Sequence, residues 1–166
     1  MKKLSFLAVL MLAAAAFTAG SAAAQSATAN ATATIVNGLT LAKTADLRFG
    51  NVIPSGSTGT VIVSTASART NTGGATPTSG LAYGAASFDV NGTGSLTYAI
   101  TLPTSISISD GASHSMTVDT FTSSPNAVGV LNAGYQELKV GGTLHVGALQ
   151  ELGSYTGTFD VSVAYN

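Results

Sequence analysis

Along most of this chain apolar and polar residues alternate with a period of two, the signature of strands that turn one face to a core. The windows are LRFGNVI, GTVIVST, SFDVNGTGSLTYAITL, SISISDGASHSMTVDTF, QELKVGGTLHVG and GSYTGTFDVSVAYN. No stretch repeats apolar residues at helical spacing for three turns, and 19 glycines among abundant Thr and Ser disfavour helix. Asn91-Gly92, between Phe88/Val90 and Leu96/Tyr98/Ile100, and Asp110-Gly111, between Ile106/Ile108 and Met116/Val118, predict tight hairpins, because both dipeptides accept the positive φ that such turns require. Asn37-Gly38 predicts a further turn or a kink where a strand changes sheets. Residues 71–84, NTGGATPTSGLAYG, have no strand pattern and predict a surface loop. The double glycine of VGGTL, residues 140–144, predicts a β-bulge or a close backbone approach. The expected fold class is therefore all-β: an antiparallel immunoglobulin-like sandwich, with a closed barrel as the competing arrangement. Its core is expected to include Phe49, Val61, Val63, Phe88, Val90, Leu96, Tyr98, Ile100, Phe159, Val161 and Val163.

Two segments stand apart from the rest. Extended, SATANATATIV (residues 26–36) would place Ala27, Ala29, Ala31, Ala33 and Ile35 on one face and Thr28, Asn30, Thr32, Thr34 and Val36 on the other. Alanine is depleted in strands and brings little apolar area to a sheet, so this segment needs a host. GSYTGTFDVSVAYN aligns Tyr155, Gly157, Phe159, Val161, Val163 and Tyr165 on one face and is the strongest strand pattern in the chain.

The opening residues change the picture of where the protein works. Two lysines, an apolar run and small residues ending in Ala22-Ala23-Ala24 predict a secretory signal peptide over residues 1–24, cleaved after Ala24. The competing reading, a membrane helix from Leu4 to Gly20, is disfavoured by that A-x-A site. Expected domains are the signal peptide (1–24), an N-terminal extension and candidate donor strand (25–36), and a sandwich domain (37–166). The leader looks bacterial, which puts the protein in the periplasm in transit and then at the cell surface or outside the cell, with no membrane insertion after cleavage.

Charged residues make up 8% of the chain, against about 25% in a typical soluble domain. Past the leader, Lys43, Arg48, Arg69 and Lys139 face Asp46, Asp89, Asp110, Asp119, Glu137, Glu151 and Asp160, without the basic clusters that nucleic acid demands. A surface so poor in charge is prone to associate. Cysteine is absent, which removes thiol catalysis, disulfides and cysteine metal sites.

Candidate chemistry is sparse. His145, between Leu144 and Val146, points away from both, and His114 follows the Asp110-Gly111 turn; neither has a second histidine or a carboxylate at metal-ligand spacing on a strand. Asp89 and Asp160 are flanked by inward candidates and so face outward. No G-x-S-x-G elbow occurs, and no helix or G-K-[ST] follows Gly141-Gly142 as a phosphate loop would require. Neither an enzyme nor a cofactor-binding protein is expected.

The closing GSYTGTFDVSVAYN, with Tyr165 next to last, together with LRFGNV, ITLP and VGGTLHVG, resembles an uncharacterised family of secreted bacterial proteins related to chaperone-usher pilus subunits and spore coat protein U-like domains. The resemblance spans the chain past its leader. It implies an incomplete sandwich lacking its last strand. A periplasmic chaperone first fills the gap, and after delivery to an outer-membrane usher the N-terminal strand of another copy or a related subunit fills it by donor-strand exchange. Ala27, Ala29, Ala31, Ala33 and Ile35 would then be the donor residues; the other reading of this segment is the first strand of the domain's own sheet. Phe159, Val161, Val163 and Tyr165 would form the terminal strand that pairs with the chaperone. The product would be a fimbrium serving adhesion or biofilm formation. Unlike many pilins, this chain has no cysteines for a disulfide. The alternative is a self-contained secreted or surface-attached β-sandwich binding or coat protein.

Overall fold

The structure, a computed structural model, describes residues 24–166. The expected signal peptide, Ala24 apart, lies outside the described residues. The chain divides before Ile35. Residues 24–39 form no strand, and all but Leu39 are exposed.

Among the described residues every regular element is a β-strand and every pairing is antiparallel, so the chain is all-β, as its alternation demands. The large sheet is organised around the longest strand, β11 (Tyr135–Val146). Its first half pairs with β6 (Ala86–Asn91), which in turn pairs with β1 (Thr40–Ala45). Its second half pairs with β3 (Gly59–Val63), followed by β4 (Arg69–Gly73). Lys139 lies opposite both Ser87 and Ser124, and Leu144 opposite both Val61 and Val118, so β9 (Ser115–Ser124) runs along the other edge of β11 from Lys139 to His145. Beyond β9 comes β8 (Ser105–Ser109). Two smaller sheets complete the unit: β10 (Val128–Val130), β7 (Thr97–Thr101) and β12 (Ser162–Tyr165) in that order, and β2 (Asn51–Ile53) with β5 (Thr76–Thr78).

The layers are held by the faces that the alternation turns inward. Phe88 and Val90 of β6 and Leu138 and Val140 of β11 pack with Tyr98 of β7 and with Leu131, while Ile100, Val163 and Tyr165 close over them. A second cluster joins Val61, Val118, Leu144 and Val146 of the large sheet to Val52 of β2 and to Phe49 just before it. Outside, Ile62 and Asp89 alternate with these buried positions. Of the expected core residues Leu96 departs: it is 40% exposed, whereas Leu131, Leu138 and Val140 are buried.

Local turn signals fare unevenly. Asp110-Gly111 does join a hairpin, β8 to β9, with Gly111 at φ +80°. Asn91-Gly92 does not: β6 lies in the large sheet and β7 in a small one, so this turn carries the chain between layers. Both strands keep the alternation expected of them, because Phe88/Val90 and Tyr98/Ile100 meet across the core rather than within one ladder. Asn37-Gly38 is neither hairpin nor sheet switch, since among the described residues no strand precedes β1. The stretch 71–84 holds the end of β4 and all of β5, which main-chain bonds and Arg69 fix without any apolar pattern. The Arg69 guanidinium donates to the carbonyls of Phe49 (2.8 Å) and Thr78 (2.9 Å) and stacks 4.1 Å from the Tyr83 ring centre.

At the double glycine the β9–β11 register shifts, as the sequence suggests, but the extra residue belongs to β9. Thr120 (φ +48°) and Phe121 lie opposite Gly142 alone. The bulge moves the inward positions of β9 from Val118 to Phe121 and Ser123. A Cβ on Gly141 would fall 2.3 Å from the Val63 carbonyl oxygen, so the backbones do approach closely there.

Candidate functional site

The last strand is shorter than its sequence pattern. Tyr155 to Tyr165 keep the alternation, with Phe159, Val161, Val163 and Tyr165 half-buried and Asp160, Ser162 and Ala164 exposed. The ladder to β7, however, covers only Ser162–Tyr165. Thr156 makes one bridge to Ser109 of β8, 2.8 and 2.9 Å, and residues 157–161 make no backbone–backbone hydrogen bond among the described residues. Phe159 is held by packing instead, with its ring centre 5.1 Å from that of Phe121. Among the described residues β12 is an edge strand, since it pairs with β7 alone.

Beside this stretch opens a cleft of about 1160 Å³. One wall is the chain from Gln150 to Phe159, the other the chain from Leu47 to Pro54 with β2, and the floor is the apolar face of the large sheet, including Phe88, Ile106, Ile108, Met116, Val118 and Leu144. Among the described residues β2 pairs with β5 alone, and both small sheets cover the same face of the large sheet. Leu152, Ile53 and Leu81 at its margin are 81%, 58% and 67% exposed. The Gln150–Tyr155 wall is braced: Gln150 Nε2 donates to the Tyr155 hydroxyl (2.9 Å), which donates to the Glu151 carbonyl (2.8 Å). The arrangement is an apolar trough with β2, paired on one side only, along one wall and the chain 150–159, bridged only at Thr156, along the other. Such an edge can take a further strand through main-chain hydrogen bonds.

Ala27, Ala29, Ala31, Ala33 and Ile35 are all exposed and outside any strand; Ile35 is 97% exposed. Nothing within the described chain pairs with these residues. Val163 and Tyr165 lie in β12, and Phe159 and Val161 lie in the unladdered stretch before it.

Both histidines do find carboxylates, which spacing within one strand could not reveal. His145 Nε2 lies 2.9 Å from Asp119 Oδ1 across the β9–β11 ladder, and His114 Nδ1 lies 2.7 Å from Asp110 Oδ2 across the β8–β9 turn. The hydrogen bond to His145, and then that from Thr120, hold the Asp119 carboxyl below its ordinary value; His114 and the Ala112 N–H do the same for Asp110. Both pairs sit at the surface, and among the described residues no three His, Cys, Asp or Glu side chains come together.

Fold and site together define an antiparallel β-sandwich protein with an open apolar cleft along an unladdered strand. A family model matches residues 39–165, and the chain belongs to that family, described as a domain of unknown function (DUF4402). No curated protein and no solved structure matches it.

Proposed function

We propose that the protein is an exported, non-enzymatic structural subunit that assembles into a bacterial surface fibre by strand donation, with the cleft as acceptor and residues 25–36 of another copy as donor. The observation that carries this reading is the stretch 157–161: five residues leading into β12, of which Phe159 and Val161 pack on the core, with no ladder partner among the described residues on either side. An inserted strand would supply those bonds, each contributing about 0.5–1.5 kcal/mol net, and would join the small sheets into one layer. A donor held chiefly by main-chain bonds can afford alanines, with Ile35 as its one large anchor. The low charge of the surface favours association in the same direction. By resemblance to pilus subunits, the assembly partners would be a periplasmic chaperone and an outer-membrane usher, the fold an immunoglobulin-like sandwich lacking one strand, and the fibre an adhesive or biofilm structure. No cofactor enters this reading.

The test compares a chain from Gln25 to Asn166 with one lacking residues 25–36. The first should form ladders that resist mild denaturant; the second should stay monomeric yet bind a synthetic 25–36 peptide. If the shortened chain assembles at the same rate, strand donation fails and the self-contained binding or coat protein replaces it.

A further inference from the structure

We infer that the Tyr165 hydroxyl is a latch that fastens the point where the chain enters the sandwich to the last strand, and that this latch protects Asn37-Gly38 from spontaneous deamidation. The inference concerns the described unit alone and does not depend on what the cleft receives. The Thr93 N–H donates to the Tyr165 oxygen (2.8 Å), the Tyr165 hydroxyl donates to the Asn37 carbonyl (3.1 Å), and the Asn37 N–H donates to Thr93 Oγ1 (2.8 Å). Both main-chain groups of Asn37 are thus held by residues far away in sequence, and the Tyr165 ring packs against the core beside Leu39 and Leu131. Gly92 completes the fit: a Cβ there would fall 2.3 Å from the Tyr165 oxygen.

What the latch restrains is a reactive dipeptide. In deamidation the Gly38 nitrogen attacks Asn37 Cγ, the Cγ–Nδ2 bond breaks and ammonia leaves; water then opens the succinimide to aspartate or isoaspartate. Among the described residues the Gly38 side of the bond is unrestrained: its N–H has no backbone partner there, and a Cβ placed on Gly38 would meet nothing within 4 Å. Only the restraint on Asn37 keeps its backbone from the geometry of attack. The second such dipeptide, Asn91-Gly92, is protected independently. Asn91 is laddered to Thr40 and Tyr135, and the Gly92 N–H donates to the Gly134 carbonyl (2.9 Å).

Tyr165→Phe keeps the ring and removes the hydroxyl. In a chain from Gln25 to Asn166, amide exchange at Asn37 and Thr93 and deamidation of Asn37 should rise about tenfold, the factor for one or two lost hydrogen bonds. Asn91 and the amides of β6 and β11 should not change, which separates release of the latch from general destabilisation. Thr93→Val frees the Asn37 N–H with Tyr165 intact and should raise Asn37 deamidation too, keeping the test alive should the first variant misfold. Unchanged Asn37 exchange and deamidation in the folded variants, or an equal rise at Asn91, would overturn the inference.

Discussion

Replacing Ile35 by alanine separates the stability of the subunit from the strength of its assembly. In the single chain Ile35 is 97% exposed, so Ile35→Ala should change unfolding free energy by less than about 0.5 kcal/mol, as exposed substitutions do. Seated in an acceptor cleft the same side chain is the only large apolar group on the alanine face of the donor. Three carbons are lost, at about 0.8 kcal/mol for each buried methylene, so binding should weaken by about 2.4 kcal/mol. At about 1.4 kcal/mol per tenfold, that is roughly a 50-fold rise in Kd. The assay is fluorescence anisotropy: labelled peptides of residues 26–36, wild type and Ile35→Ala, are titrated into a recipient that itself carries Ile35→Ala and so donates poorly. Chemical denaturation of the recipient supplies the stability arm. Equal affinities for the two peptides would refute Ile35 as the anchor, and a marked loss of recipient stability would show that Ile35 serves its own fold instead.

Two further predictions test the packing and the surface pairs. Gly129→Ala would place a Cβ 2.2 Å from the Tyr98 ring, whose side chain is buried and whose hydroxyl donates to Gln136 (2.9 Å); overpacking should lower stability by about 1–3 kcal/mol, read by thermal unfolding. Asp110 and Asp119 both have carboxyl groups lowered below 3.8 in the folded chain. Their contribution is therefore complete above 3.8 and is lost as pH falls through the lowered folded values. Asp119→Asn should flatten the decline of stability below pH 3.8 seen by acid titration of circular dichroism, and an unchanged decline would refute its coupling to His145.

Side-chain alternation by itself determined that this protein is all-β, and it marked correctly which residues of β3, β6 and β7 turn inward, because a period of two records burial one strand at a time. It also marked the β8–β9 hairpin, where Asp110-Gly111 opens a five-residue connection, residues 110–114, between Ser109 and Ser115. Alternation could not say which strand lies beside which. Phe88/Val90 and Tyr98/Ile100 fit a shared ladder and opposite layers equally well, and only the closing of the core between layers decided for the second. β5 escaped notice because its place is set by main-chain bonds and the Arg69 guanidinium, and Thr76–Thr78 display no apolar stripe. In the candidate site the sequence marked Phe159, Val161, Val163 and Tyr165 as one face, but the tertiary structure decided that the ladder reaches only the last two and that a trough lies beside Phe159. The meetings of His145 with Asp119 and of Tyr165 with Asn37, 26 and 128 residues apart, were likewise decided by the fold, since hydrogen bonds between distant residues leave no periodic trace in the chain.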